Sequence, residues 1–198
     1  MRITASEVAV GTGAAAELPP VSVEFSPESP AVLALDTDRR PTVLSLVVSG
    51  RMTPTAGSVL LDGRADAATL RTAVALVDTP IVAEPAADLP LGVVIREELA
   101  FARHPARDAR ELLEALDARD YAKAPIRLLP GALRTRLLAE TAAARPGVRA
   151  LVLTSPERHG GSPDDLAATI AGLAARGFAV LTVTTPATRE LLLKADRS

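Results

Sequence analysis

Ser49-Gly50-Arg51-Met52-Thr53-Pro54-Thr55-Ala56-Gly57-Ser58-Val59-Leu60-Leu61-Asp62-Gly63 is the stretch from which the rest of the chain is read. Thr53–Gly57 carries turn chemistry, Pro presetting one backbone angle and Gly freeing another. It leads into Ser58–Leu61, a short strand closed by Asp62-Gly63. Upstream, Val43, Leu44, Leu46, Val47 and Val48 spell a heavily buried helix ended by Gly50. Pro41 stands at an early helical position, with Thr37 or Asp38 as cap. Further back, Ala31–Leu35 is an unbroken apolar run suited to a strand buried on both faces.

Outward from there, short β-rich runs alternate with Ala/Leu/Arg segments of helical period, the pattern of an α/β domain. Arg2–Val10 and Val21–Phe25 read as strands, separated by Gly11-Thr12-Gly13 and by Pro19-Pro20, which a paired central strand does not accommodate. A short helix from about Asp66 to Arg71 precedes a strand at Ala73–Val77. Between Asp78 and Pro90 the composition shifts to Pro, Ala and Asp, an exposed connector. Val93–Arg103 and Arg107–Ala118 read as helices of a small helical subdomain. The last third predicts a helix at Leu133–Arg145, a strand at Ala150–Leu153, a helix at Pro163–Arg176, a strand at Phe178–Val183 and a closing helix at Thr188–Ala195. Strand, helix, strand in that order calls for parallel pairing with a right-handed crossover. No internal repeat is visible.

Composition narrows the chemistry. The chain has 198 residues, 48% of them hydrophobic and only 2% aromatic, so its core is built from Ala, Leu and Val. Lys and Arg number 22 against 24 Asp and Glu, a net charge of −2 that provides no global field to attract nucleic acid or an anionic bilayer. The absence of Cys excludes disulfides, thiolate zinc sites and a cysteine nucleophile, and two His make a histidine-rich metal centre improbable. No apolar stretch approaches the roughly 18–20 residues of a membrane span. The opening Met1-Arg2-Ile3-Thr4 lacks the apolar core of a signal peptide, so a cytoplasmic location is expected.

Four landmarks follow one another in fixed order: the Ala34–Gly63 segment; Val74-Ala75-Leu76-Val77 with its loop; Leu129-Pro130-Gly131-Ala132-Leu133-Arg134-Thr135-Arg136-Leu137 running into a helix; and Leu151-Val152-Leu153-Thr154-Ser155-Pro156 followed, one helix later, by Val180–Thr185. This order resembles the ATP-binding subunit of ABC transporters, whose "AGxLxPTSGxVxLDG" segment Gly50–Gly63 matches almost throughout. The resemblance spans Leu18 to Ala195. It implies a P-loop NTPase-like, three-layer α/β core in a single domain (1–198), with an N-terminal β-rich section and a reduced helical subdomain at 79–128. It also implies a peripheral position on the inner face of a membrane, reached through a partner.

The chemical residues of that family are nevertheless missing one after another. Its phosphate loop is Gly-rich because consecutive backbone N–H groups must curl around the phosphates, and its lysine reaches the β- and γ-phosphates. The matching stretch here, Asp36–Thr42, is shorter and has no glycine, with Pro41 at the lysine and Thr42 at the Ser/Thr. Asp36 and Asp38 flank the phosphate position, and a carboxylate about 5 Å from a phosphate charge costs about 3 kcal/mol at an effective dielectric of about 20. Arg39 and Arg40 offset part of that, since a helix N-terminus favours anions. The family's magnesium-contacting glutamine falls at Thr79, and the signature Leu-Ser-Gly-Gly-Gln reads Leu129–Leu133 with Pro130 in place of Ser. The acidic pair that closes the second nucleotide motif becomes Thr154 and Ser155. The switch histidine becomes Thr185, and the aspartate of the dimer loop becomes Ser162. Phosphoryl transfer depends on lysine, magnesium and a water-orienting group; all three positions have changed.

The expectation is a fold kept and a chemistry lost: a non-hydrolytic scaffold or regulatory partner of a transmembrane transporter subunit or of an active ATPase subunit, with a homodimer as a further arrangement. No catalytic residue and no metal ligand is assigned. Any residual ATP would be held through Phe25, near the family's adenine-stacking aromatic, and through Arg39, Arg40 and Thr42. The rival readings are a working ATP-hydrolysing subunit with a divergent loop and a nucleotide sensor that binds without hydrolysis. Ser155 with His159 and Asp164 or Asp165 lacks the small flanking residues of a nucleophile elbow. His104 reads as a helix end, His159 as a loop tip. Arg134, Arg136, Arg145 and Arg149 read as a solvated helix face without an aromatic platform for nucleic acid.

Overall fold

The computed structural model describes residues 1–35, 39–102 and 109–195. Fourteen strands and helices are used below: β1 (Ile3–Val10), β2 (Leu18–Phe25), β3 (Ala31–Ala34), α1 (Arg39–Val48), β4 (Ala56–Leu61), α2 (Ala67–Ala73), β5 (Val74–Val77), α3 (Leu91–Phe101), α4 (Ala109–Ala115), α5 (Gly131–Ala143), β6 (Ala150–Thr154), α6 (Pro163–Ala175), β7 (Ala179–Thr184) and α7 (Pro186–Ala195). The N-terminal strands form an antiparallel sheet in the order β2-β1-β4. The later strands form a parallel sheet in the order β3-β7-β6-β5.

Period-2 alternation along the parallel strands sorts their side chains onto two faces. Val74 and Leu76, Ala150 and Val152, and Ala179, Leu181 and Val183 point one way, onto Val43, Leu44, Val47 and Val48 of α1. The other side of α1 meets Ile3, Val8, Leu18 and Phe25 of the antiparallel sheet. The alternate residues Val77, Leu151, Leu153 and Val180 join a second core with Ile95 of α3, Leu137 and Leu138 of α5 and Ile170 of α6. The result is the expected layered α/β core, with α1 between two sheets and the remaining long helices on the outer face of the parallel one. Among the described residues, no helix is long and apolar enough to cross a membrane.

Several expectations are corrected. Ala31–Leu35 does not make a doubly covered strand: among the described residues β3 is the edge of the parallel sheet, paired with β7, and its residues are half-buried. Pro19 and Pro20 do not precede a strand but lie within β2, which tolerates them because β2 is itself an edge. The connector after β5 is not exposed from its start, since Asp78 and Thr79 are buried. The short helix after Gly63 is capped by Asp66, whose carboxylate accepts from the Thr69 N–H at 2.9 Å. Asp36, Thr37, Asp38 and His104 lie outside the described residues.

Candidate functional site

The C-terminal ends of β5 and β6 lie side by side, where open parallel sheets place their ligands. Both strands end in a left-handed residue that is not glycine, Asp78 (φ 50°) and Ser155 (φ 48°). Such backbone costs about 1–3 kcal/mol and persists only where surrounding contacts hold it. Two polar clusters supply those contacts.

The first is a line of hydroxyls. Ser45 of α1 donates from Oγ to the Pro41 carbonyl at 2.7 Å, Ser45 Oγ and Thr154 Oγ1 are 2.9 Å apart, and Thr154 Oγ1 and Thr79 Oγ1 are 2.8 Å apart. All three side chains are buried. Each hydroxyl owns one proton, which fixes the direction. Ser45 has spent its proton on Pro41, so Thr154 must donate to Ser45 and Thr79 must donate to Thr154. Thr79 and Thr154 are thus bonded to each other, and through Ser45 of α1 to the Pro41 carbonyl. Magnesium is a hard cation that dehydrates reluctantly and is bound through carboxylates and phosphates. Three neutral hydroxyls whose protons are committed offer it no charge.

The second cluster is ionic. Arg134, on the buried side of α5, donates from Nε to Asp78 Oδ2 at 2.7 Å and from Nη2 to Oδ1 at 2.8 Å. Arg158 Nη2 lies 3.0 Å from Asp78 Oδ1 and 3.1 Å from Glu84 Oε1, and its Nη1 donates to the Thr154 carbonyl at 2.8 Å. His159 Nε2 approaches Asp78 Oδ2 to 3.2 Å. Burial alone would raise the Asp78 carboxyl; the contacts from Arg134 and His159 and the charge of Arg158 reverse this and hold it far below the usual carboxylate range. Asp78, Glu84 and His159 bring their ligand atoms within 4.8 Å of one another. Both Asp78 oxygens, however, already accept from guanidinium groups, and a dication there would face two arginines. The arrangement is an ion-pair network rather than a metal centre.

The Leu129–Leu133 turn is tucked against the same region. A Cβ on Gly131 would fall 2.1 Å from the Gly160 carbonyl oxygen and 2.4 Å from that of His159, so the glycine permits the start of α5 to lie directly on the 159–160 backbone. Glu157 accepts from Thr184 Oγ1 at 2.7 Å and from the Thr185 N–H at 3.2 Å, tying the end of β7 to the turn after β6.

Of the residues singled out from sequence, Phe25 is fully buried in the α1 core and presents no free ring face. Arg39 and Arg40, exposed and half-buried, begin α1, and Thr42 is half-buried on its first turn. His159 is no loop tip, and it turns Nε2 to Asp78 rather than to Ser155. Arg134 does not belong to a solvated face. Sequence reasoning missed Ser45, Asp78, Glu84 and Arg158. One signal was available: Arg134 lies three residues before Leu137 and four before Leu138, on the apolar side of its helix, where a charge requires a buried partner.

No family model matches the sequence, and no curated protein matches it. Solved structures do. The ATP-binding subunit of an ABC transporter superposes over 100% of this chain and 82% of its own, with a TM-score of 0.67 at 17% identity. A nucleotide-free ATP-binding cassette from an ABC transporter gives a TM-score of 0.67 at 15% identity, covering 98% of this chain and 85% of its own. The cbiO1 protein of Clostridium perfringens, part of the ABC transporter complex cbiONQ, gives 0.63 at 14% identity over 92% of this chain and 77% of its own. The chain therefore has the fold of an ABC transporter ATP-binding subunit.

Proposed function

We propose that this chain is an ABC-type ATP-binding-subunit-like protein that does not hydrolyse ATP and acts as a scaffold or regulatory partner of a membrane transporter or of an active ATPase subunit. The observation that carries the reading is the hydroxyl relay from Thr79 through Thr154 and Ser45 to the Pro41 carbonyl. It joins the three positions from which lysine, glutamine and carboxylate would act on phosphate and magnesium, and it satisfies them among themselves. Electrostatic stabilisation of a transferring phosphoryl group needs cationic charge, which a lysine and a carboxylate-held magnesium would supply and three neutral, mutually bonded hydroxyls do not. The partner half of the reading rests on the shared fold and on cbiO1, which is part of a larger transporter complex. Peripheral attachment to the inner face of a membrane through that partner, or pairing of two copies, would follow from it.

Calorimetry with Mg-ATP, run beside a phosphate-release assay, tests the proposal. The expected result is a Kd weaker than about 1 mM, corresponding to about −4 kcal/mol, and no phosphate release. Tight binding that is lost in Arg40→Ala, with release of phosphate, would establish a working ATPase instead. Thermal stabilisation by ATP or ADP without release would establish a nucleotide sensor, because a ligand selective for the folded state must raise its melting temperature.

A further inference from the structure

The helical segment between β5 and α5 packs one face on the core and leaves a hollow on another. Leu91, Val94, Ile95 and Leu99 of α3 are buried together with Leu137 and Leu138 of α5. The helical period then carries Val93 and Arg96 off that face, where both line a cavity shared with α4. Leu91 N–H donates to the Ala124 carbonyl at 2.9 Å and Gly92 N–H to that of Ala122 at 2.9 Å, so the stretch bearing Lys123 is fixed beside the same helix. The cavity has a volume of about 450 Å³. Small-molecule sites have volumes of roughly 300–1,000 Å³.

Its lining sorts charge. Acidic and basic residues are nearly balanced over 87–127. The charged residues at the cavity are nevertheless all basic: Arg96 of α3, Arg110 of α4, Arg119 of the 3-10 turn Arg119–Tyr121, and Lys123 just after it. All four are exposed, and among the described residues no carboxylate lines the space. The acids of the segment are engaged elsewhere. Asp88 pairs with Arg127 at 2.7 Å, and Glu98 pairs with Arg145. Glu114 pairs with Arg110 Nε at 3.1 Å and with Arg119, steadying two guanidinium groups without itself lining the cavity. Val93 and Leu113 supply an apolar wall between the cations. Like charges gathered on one concave surface repel, and a bound anion removes that repulsion.

We propose that this cavity binds a small phosphorylated organic molecule, with its phosphate among Arg96, Arg110, Arg119 and Lys123 and its apolar body against Val93 and Leu113. A phosphate monoester carries a charge of about −1.5 to −2 at neutral pH and offers three strong acceptor oxygens. The planar fork of arginine matches phosphate geometry, and cations on separate elements can engage different oxygens of one group. A bare inorganic ion would leave the apolar wall uncovered. A bilayer finds no broad attraction in a chain of net charge −2. The cavity shares no residue with the start of α1 or with the strand ends described above, and it does not rest on the function proposed for them.

Phenyl phosphate is the probe, having one phosphate monoester, one compact apolar ring and no base for a nucleotide site to recognise. It is titrated into the isotope-labelled full chain while amide resonances are followed, beside a matched titration with inorganic phosphate. The expected result is saturating shifts centred on 92–96, 110–113 and 119–123, with phenyl phosphate bound at least about tenfold more tightly, because its ring covers apolar surface. Arg96→Gln/Lys123→Gln should weaken it at least about fivefold, the loss of two charge-assisted contacts. Arg64→Gln/Arg149→Gln removes the same charge from exposed positions elsewhere and should leave affinity within about twofold. Shifts that are absent up to about 10 mM, that centre on 39–42, or that are equal for the two phosphates would overturn the proposal. So would equal losses in the two double variants. Sedimentation with phosphatidylglycerol vesicles completes the set: capture that requires Arg96 and Lys123, without phenyl phosphate shifts, would assign these cations to a membrane surface and overturn it too.

Discussion

Replacing Thr154 with Val removes one hydroxyl at nearly constant shape. In the relay derived from proton counting, Thr154 accepts from Thr79 and donates to Ser45. The variant leaves the Thr79 proton with no acceptor at a fully buried site. An orphaned buried donor costs about 1–3 kcal/mol. For a chain of this length each kcal/mol moves the melting temperature by about 2–4 °C, so a fall of about 2–12 °C is expected. Thr79→Val should cost less, because Thr154 keeps its donation to Ser45 and loses only a proton it was receiving. The double variant Thr79→Val/Thr154→Val should recover most of the loss, since both partners of the bond are then gone. Thermal and urea melts of the three variants, analysed as a cycle, measure this. Equal stability of Thr154→Val and the parent would refute the reasoning, and so would Thr79→Val being the more damaging of the two single changes.

The Asp78 carboxyl, depressed on folding, contributes stability that is present above its unfolded pKa of about 3.9 and is lost as pH falls below it. Melting temperature followed from about pH 5 to about pH 3 should therefore decline more steeply in the parent than in Asp78→Asn; parallel slopes would contradict the assignment. Gly131→Ala sets a Cβ against two backbone carbonyls that cannot yield, and a loss of about 1–3 kcal/mol in urea melts is expected. An unchanged midpoint would mean that α5 does not rest on the 159–160 turn.

Local patterns gave the architecture and lost the site. Apolar runs with alternating faces made β5, β6 and β7 readable, and Gly50 and Pro163 marked helix boundaries that hold. The misplacement of β3 has a different origin: an apolar run reports that a strand is covered, not where it sits in a sheet, and an edge strand packed on helices looks the same. The polar clusters depend on contacts between distant positions, 56 residues apart for Arg134 and Asp78 and 75 for Thr79 and Thr154. A threonine at a strand end reads as ordinary turn chemistry until its neighbour across the sheet is known. Arg134 likewise read as solvated because it was grouped with Arg136, Arg145 and Arg149 as one basic stretch, and that grouping is blind to which side of the helix is buried.

Pro19 and Pro20 in β2 bear on how the chain meets other chains. Successive residues of a strand direct their N–H groups to opposite sides, so one of the two prolines deletes a donor from the open border of the antiparallel sheet. A visiting strand would find that rung missing and could not extend the ladder without a gap. Growth of the sheet by accretion is hindered at the proline end of that border, which leaves only the stretch from Val21 to Phe25 with an unbroken row of backbone donors.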